Sequence, residues 1–414
     1  MPAAPFAPAA VPPRDPTMVS GMRDPSTLVS QRIEPDVSNV IAFMRPNAAP
    51  LCAITMGVKK LDMKPATQRQ FDWLEKDPLP DTARASGDQT AGDTTVDVVT
   101  GQGSRAKAYD LWLNQRTGEI MYVSSVATDT WTVTRDIDGG HSAAILDQEE
   151  LTKIGNAYED GASMGTAKST RETRLYNYCQ ILRTPFGWTR RDATMALFGG
   201  NDMTTEEKAQ TIEHATLIEK NAWFGNRFST TGANSREVTG MGGILSFIST
   251  NVWNLSGETP TENQVVAALE QGMYYGKNGN VGGGGDKILF ASRNWVTFFD
   301  KLARERLRYV DMGELLGRGR IGLKVIEFHT SHGRLVLVSH PLFPLGLSVL
   351  VDPAHVWMRY HQGSDEFPDG KTRVRKNIQA PDVDGRTDEF LSDVGVQVEL
   401  EMAHMAWKGL PAQG

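Results

Sequence analysis

The feature that most constrains this chain is one long run from Thr204 to Gly225. Ala209, Ile212, Ala215, Ile218 and Ala222 recur every three or four residues and draw a single apolar stripe along a helix. Thr204 with Glu207 forms a capping box, and Glu206 and Glu207 sit where the helix dipole favours negative charge. Glu206, Lys208, Glu213, Glu219 and Lys220 face elsewhere, and Gly225 ends the run. At about 1.5 Å per residue this is a rod of roughly 30 Å. A rod that is apolar on one side only is a brace and must lie against a sheet.

The strands that could receive it come in two groups. Between Thr94 and Arg135, Val96–Val99, Ala108–Leu113, Ile120–Val126 and Trp131–Thr134 are short, β-branched or aromatic, and spaced by about ten residues. Thr117-Gly118-Glu119 and Thr128-Asp129 are turns between them, so this part reads as a small antiparallel sheet or barrel inserted near residues 85–151. After the long helix, Thr259-Pro260-Thr261-Glu262 opens a second helix, with Glu262 completing its cap. Lys287–Ala291 is a strand leading to a helix capped by Ser292 that carries Trp295, Phe298, Phe299 and Leu302. Further strands are expected at Val325–His329, Leu335–Ser339, Leu347–Val351, His355–Arg359 and Val394–Met402. Strands and helices mix without a βαβ rhythm, which makes the fold class α+β.

Met1–Pro50 is dense in proline and lacks helical periodicity, so it reads as an extended arm that orders only by lying across something else. Lys and Arg number 43 against 50 Asp and Glu, a formal net charge of −7, which argues against a protein built to coat nucleic acid. No apolar run approaches the ~20 residues that cross a bilayer, and no secretion signal is recognisable. Two cysteines, Cys52 and Cys179, cannot make a disulfide framework and fit a chain made in a reducing cytosol.

Candidate chemistry is sparse. Gly282–Gly285 leads into a strand, whereas a phosphate loop opens a helix, so it reads as a surface loop. His329 and His332, with His340 and His355 nearby in sequence, are scattered by a strand and a turn rather than gathered on a metal. Cys179 is expected to be a small buried hydrophobe. Asp352 with His355 is the one pair offered to a hydrolase reading. Two stretches are locally basic. The first holds Lys168, Arg171, Arg174, Arg183, Arg190 and Arg191; the second holds Lys301, Arg304, Arg306, Arg308, Arg318, Arg320 and Lys324. They are either solvated faces or surfaces that meet acidic stretches of neighbouring copies, such as Asp382–Asp393.

The run Asn177-Tyr178-Cys179-Gln180-Ile181-Leu182-Arg183-Thr184-Pro185-Phe186-Gly187 carries a resemblance. With Gly199-Gly200, the helix to Gly225, and Thr239-Gly240-Met241-Gly242-Gly243-Ile244 to Asn251, it resembles the major capsid proteins of tailed bacteriophages. The SU10-like subgroup is the nearest, since its β-insertion contains a Thr-Gly-Glu turn. Here Thr117-Gly118-Glu119 is followed by Thr130–Arg135 and by Tyr158-Glu159-Asp160-Gly161. The resemblance runs from about residue 50 to the end and is strongest over Asn177–Asn251.

It implies the HK97 fold, with an N-arm, an E-loop, a P-domain built on a spine helix, and an A-domain. Laid on this chain, the arm is 1–50 and the E-loop region 51–180, with the β-insertion at about 85–151. The P-domain is 181–253 with the spine helix at about 204–225, the A-domain is 254–375, and 376–414 returns to the P-domain. The implied function is that of a head subunit, not an enzyme and without a cofactor. It assembles with itself as hexamers and pentamers into an icosahedral shell around double-stranded DNA, which is held without sequence specificity. Portal, scaffolding and decoration proteins are further implied partners, and a membrane is not. The implied location is the virion, after synthesis in the host cytoplasm. A decoration or tail protein, or an encapsulin-like compartment shell, are the alternatives. Aromatic residues and arginines dominate interface hot spots, so Trp73, Trp112, Trp131, Arg183, Trp188, Arg304, Arg306 and Arg308 are candidate inter-subunit contacts. Core packing is the alternative for each aromatic.

Overall fold

The computed structural model describes residues 49–51, 63–137, 139–162, 165–195, 202–275, 286–302, 307–311, 324–330 and 333–412, without the side chains of 202, 302, 307–311 and 324–330. Nearly all of the proline-dense arm, Cys52, Gly199-Gly200, Gly282–Gly285, Arg304, Arg306, Arg318, Arg320 and His332 lie outside the described residues.

Two sheets make the body. One joins β1 (Lys64–Ala66), β10 (Gln180–Thr189), β19 (Val356–His361), β20 (Arg373–Arg375) and β21 (Gly385–Val398) in the order β1-β19-β21-β10, with β20 also on β21. The other runs β13 (Val252–Asn254), β22 (Met405–Lys408), β18 (Ser348–Val351), β14 (Asp286–Ala291), β17 (Gly333–Ser339), β16 (Lys324–Thr330) and β15 (Leu307–Asp311). Strand β14 lies mid-sheet, antiparallel to β18 and parallel to β17, and all of it after Asp286 is buried. Its alternate side chains enter different cores, as the two-residue strand period demands. Leu289 and Ala291 join Leu269, Trp295, Phe299 and Trp407 beneath two helices. Ile288 and Phe290 join Ile218, Trp223, Leu182, Met358, Val394 and Val396, a core shared with the first sheet. The mixed sheets and few helices bear out the α+β class.

The brace is α1 (Asp202–Phe224), which starts before the expected Thr204 cap and places Thr204 inside the helix. The expected stripe holds only in its second half. Ile218 and Ala222 are fully buried, whereas Ala209, Ile212 and Ala215 are half-buried. Between them the core-facing side carries polar groups, namely His214, Thr216 and Glu219. Glu219 therefore does not face elsewhere; it is fully buried. His214 reaches Thr184 Oγ1 of β10 at 2.8 Å and Ser392 Oγ of β21 at 2.7 Å, so the helix is fastened to the sheet by hydrogen bonds as well as apolar contact. Burial lowers the pKa of His214.

Other boundaries also move. Helix α2 (Glu262–Met273) is capped by Thr261 with Gln264, not Glu262, closing the box. Helix α3 (Arg293–Leu302) follows β14 where Ser292 was expected to cap it. The last long strand was expected at Val394–Met402. Instead β21 starts at Gly385, pairs with β10 from Thr189↔Gly385 to Gln180↔Val394, and ends at Val398.

The insertion is a closed barrel. Its sheet has the order β3 (Thr82–Arg84), β8 (Glu150–Asn156), β5 (Asp110–Asn114), β6 (Ile120–Ala127), β7 (Thr130–Thr134) and β4 (Thr95–Asp97), wider than the expected 85–151. The Ser86 N–H to Asp97 O and Val99 N–H to Arg84 O bonds, both 2.9 Å, close β4 onto β3 and leave no free edge. Inside, Trp112 and Trp131 meet at 4.7 Å among Met121, Val123, Ile145 and Leu151. The Trp131 indole N–H donates to Gly103 O at 3.0 Å, and a Cβ on Gly103 would lie 1.8 Å from Thr128 O. The Thr117-Gly118-Glu119 turn has an internal purpose. Glu119 is fully buried and accepts from Arg135 Nε and Nη2 at 2.5 and 2.6 Å, a bidentate pair across the barrel end.

Candidate assembly interface

The barrel stands on a two-stranded ladder of β2 (Gln70–Glu75) and β9 (Thr173–Tyr178), which belongs to neither large sheet. Alternation buries Phe71 and Trp73 at its root, against Cys179, Ala66 and Phe247. Burial pushes the Cys179 thiol up to about 12, so it is inert at neutral pH. Farther out, Lys76 pairs with Glu172 at 3.0 Å, and Thr170 Oγ1 donates to Asp77 O at 2.6 Å. Lys168 Nζ donates to Ser104 O and Ala106 O at 2.7 and 2.5 Å, tying the barrel to the returning strand.

The ladder meets the body at the turn that follows β21. Leu400 sits at φ +51°, a left-handed conformation that strains a bulky residue. Its N–H donates to Glu75 Oε1 at 3.0 Å, and the same oxygen accepts from the Trp73 indole at 2.9 Å. Next in the chain, Glu401 Oε1 accepts from the Ser249 and Thr250 N–H groups at 2.6 and 2.5 Å. Between the ladder and this turn opens a cleft of about 880 Å³.

Behind the turn lie two buried bases. Lys287 Nζ donates to Gly272 O and Ala403 O, both at 2.7 Å, and burial lowers its pKa to about 8. His404 Nδ1 accepts from the Asp352 N–H at 3.2 Å, which leaves Nε2 to donate to Glu399 O at 3.1 Å. Burial pushes the His404 pKa from 6.5 down to about 3, with Lys287 and His355 adding to the effect. The folded state thus holds neutral imidazole while the unfolded chain binds a proton near pH 6.5, so stability is intact above pH 6.5 and falls as pH drops towards 3. At about 1.4 kcal/mol per pK unit the loss spans several kcal/mol. We expect thermal midpoints measured from pH 7 to pH 4 to fall steeply, and less steeply in His404→Asn, whose amide oxygen can accept from Asp352 N without titrating. Parallel acid limbs would disprove this.

Of the residues expected at interfaces, Trp112 and Trp131 are wholly inside the barrel and Trp73 is buried at the ladder root. Core packing claimed all three, and they have no surface to offer a neighbour. Trp188 is half-buried beside Phe186, under the Arg386 guanidinium. Arg183 is exposed on β10, next to exposed Ile181. Arg308 lies on β15 with its side chain undescribed. The acidic stretch Asp382–Asp393 is largely paired within the chain, as are Arg174 and Arg190 of the first basic stretch. Arg174 pairs with Asp72, Arg190 with Asp384, Arg375 with Glu389 and Arg386 with Asp388. Asp352 and His355 do not form a catalytic pair: Asp352 Oδ1 accepts from Ala354 N, and His355 Nδ1 lies 4.0 Å from Glu399. His340 is bonded to Glu219. Among the described residues no group of three His, Cys, Asp or Glu could hold a metal, and no helix is long and apolar enough to cross a membrane.

Sequence reasoning missed Glu219, Asn177, Lys287 and His404 as structural centres. For Glu219 a signal existed in Trp223 four residues on, whose indole N–H reaches its carboxylate.

A cyanophage A-1(L) capsid chain superposes with a TM-score of 0.52 over 92% of this chain and 98% of its own, at 10% identity. A chain from the capsid of an empty GTA particle gives 0.47 over 92% and 96%, at 11% identity. The first of these superpositions shows the HK97 fold. In sequence, the chain is 27% identical over 338 residues to the major capsid protein of Pseudomonas phage PaMx41, covering 77% of this chain and 76% of the relative. The model of the family described as SU10 major capsid protein matches residues 19–411, and the chain belongs to that family.

Proposed function

We infer that this chain is the major capsid protein of a phage and works by tiling with copies of itself. The observation that carries the reading is the family match along residues 19–411 on a chain with the HK97 fold. In this reading the ladder and its barrel form the E-loop region within 51–180, 181–253 with α1 forms the P-domain, 254–375 the A-domain, and 376–414 the return to the P-domain. Residues 1–50 form the arm. Subunits gather as hexamers and pentamers, and packaged double-stranded DNA lies against the inner face without sequence-specific contacts. Portal, scaffolding and decoration proteins meet the shell, the chain is made in the host cytoplasm, and it catalyses nothing.

A shell subunit must contact many neighbours through modest patches, so reach beyond the compact body matters more than one large interface. The ladder and barrel supply such reach, and exposed Ile181 and Arg183 on β10 are candidate contacts. Negative-stain microscopy of the expressed chain should show closed shells, and material that stays monomeric under all conditions would overturn the reading. Tail-like tubes or shells filled with an enzyme would favour the alternatives. Removing residues 1–50 should leave folded subunits that assemble poorly; normal shells would remove the arm's role.

A further inference from the structure

One wall of the barrel is apolar on both of its faces. Antiparallel strands with one face in water alternate apolar and polar residues. Strands β7, β4 and β3 follow that rule. They turn Thr130, Thr132 and Thr134, Thr95 and Asp97, and Thr82 and Arg84 outwards. Strands β5 and β6 break it. Their inward residues Trp112, Met121 and Val123 fill the core, yet their outward ones are Leu111, Leu113, Ile120 and Tyr122, all half-buried. Register sets Leu111 opposite Tyr122 and Leu113 opposite Ile120, so the four form one block. On one flank a bulge in β8, at the register of Leu111 and Trp112, leaves Ile154 49% exposed. On the other, Ile137 donates its N–H to Ile120 O at 3.3 Å and is 50% exposed. Contiguous open apolar surface of this kind marks an interaction site.

The block carries no charge of its own, but its two ends differ. Past the Asn114 end of β5, Glu119, Glu149, Glu150 and Asp136 outnumber Arg116 and Arg135. At the Asp110 end, Lys107, Lys153 and Lys168 gather around buried Asp110, with Glu159 and Asp160 beyond them. One end is therefore acidic and the other is where the lysines sit.

We propose that this wall packs face to face on the same wall of a second copy, about a two-fold axis that crosses the strands. The proposal rests on the reading of the chain as a shell subunit. Such an axis runs β5 of one copy antiparallel to β5 of the other and sets Leu111 against the partner's Leu113. Each acidic end then meets a lysine end, whereas a parallel pairing would set the two acidic ends together. An uncharged block meeting its own copy strands no ion in the contact. Six side chains are far fewer than the roughly 20–30 residues a side of a standalone interface, so free subunits stay apart. The contact closes when assembly holds two barrels together at high effective concentration.

The test is a cross-link in assembled particles of the full chain. Leu111→Cys chains grown in ¹⁴N medium are mixed before assembly with Leu113→Cys chains grown in ¹⁵N medium, both in a Cys52→Ser background; Cys179 is buried and does not compete. A short bis-maleimide that spans packed sheets, about 10 Å apart, is added, and the digest is read by mass spectrometry. The expected product is a mixed-isotope peptide linking 111 to 113. Particles that give no link, or only 111–111 and 113–113 links, overturn the proposal and leave the shell reading standing. Failure to form particles even with the unaltered chain overturns both. As a second readout, Ile154→Glu should lower particle yield by about tenfold while the free subunit's thermal midpoint holds, and Thr132→Glu on the opposite wall should leave yield unchanged. Equal yields from the two variants overturn the proposal.

Discussion

Asn177→Asp should strongly destabilise the subunit, although it exchanges only one NH2 group for an oxygen. Asn177 is fully buried on β9 and makes four hydrogen bonds. Its Oδ1 accepts from the N–H groups of Gly242 at 2.8 Å and Tyr178 at 2.9 Å. Its Nδ2 donates to Gly242 O at 2.9 Å and Val396 O at 2.6 Å. One amide thus joins the ladder, the glycine turn and β21. Aspartate keeps the two accepting bonds but turns an oxygen towards two buried carbonyl oxygens. Each stranded carbonyl costs about 1–3 kcal/mol, and burying the carboxylate adds to that. The sum is roughly 4 kcal/mol or more, a large part of an ordinary domain's 5–15 kcal/mol. The sign of the pH effect follows. The variant's folded carboxyl has a raised pKa, so its penalty is absent below the unfolded value near 3.9 and grows as pH rises. Urea midpoints of wild type and variant should therefore converge as pH is lowered from 7.5 to 5, and equal midpoints at pH 7.5 would refute the role.

Those four bonds also explain what the sequence could and could not reveal. The Asn177–Gly187 run and the Thr239–Ile244 glycine run stand out as motifs, but only the fold brings them together. A Cβ on Gly243 would lie 2.6 Å from the Trp223 backbone, and one on Gly225 would lie 2.4 Å from Met241 O. The helix end and the glycine turn therefore touch backbone to backbone, and the glycines are there for proximity. Periodicity found α1, the barrel strands and β14, because those elements owe their burial to local alternation. It misjudged the middle of α1, where polar His214 and Thr216 take core positions, and it ended β21 wrongly, because Val398 is followed by a strained turn rather than a continued strand. Large aromatics looked like interface anchors, yet Trp112 and Trp131 fill the barrel, since size alone does not distinguish an anchor from a core. The cleft at the ladder root was illegible because its walls come from residues 75–79, 168–175, 247, 275 and 398–403.

Glu219→Ala should be nearly as damaging as the change at Asn177, by a different route. Glu219 Oε1 accepts from the Leu51 N–H at 2.9 Å, the Trp223 indole at 3.0 Å and His340 Nε2 at 2.7 Å. These donors come from the end of the arm, the brace helix and the loop after β17, three parts of the chain brought together at one buried oxygen. Glu219, Trp223 and His340 are all buried, with Trp223 packed on Phe290 and Phe343. Alanine removes the shared acceptor and leaves a gap in the core between the two sheets. Losing the acceptor for several buried donors, plus the cavity, amounts to about 4 kcal/mol. Glu219→Gln keeps a carbonyl oxygen at nearly the same place and should lose about 1–2 kcal/mol. The two variants also separate stability from anchorage. In Glu219→Gln the body stays folded, but the weaker acceptor loosens Leu51, so limited proteolysis should cut within residues 1–50 faster than in the wild type. If Glu219→Ala unfolded within 1 kcal/mol of the wild type by urea titration, with the arm equally protected, the buried carboxylate would not be the point where arm, helix and sheet are locked together.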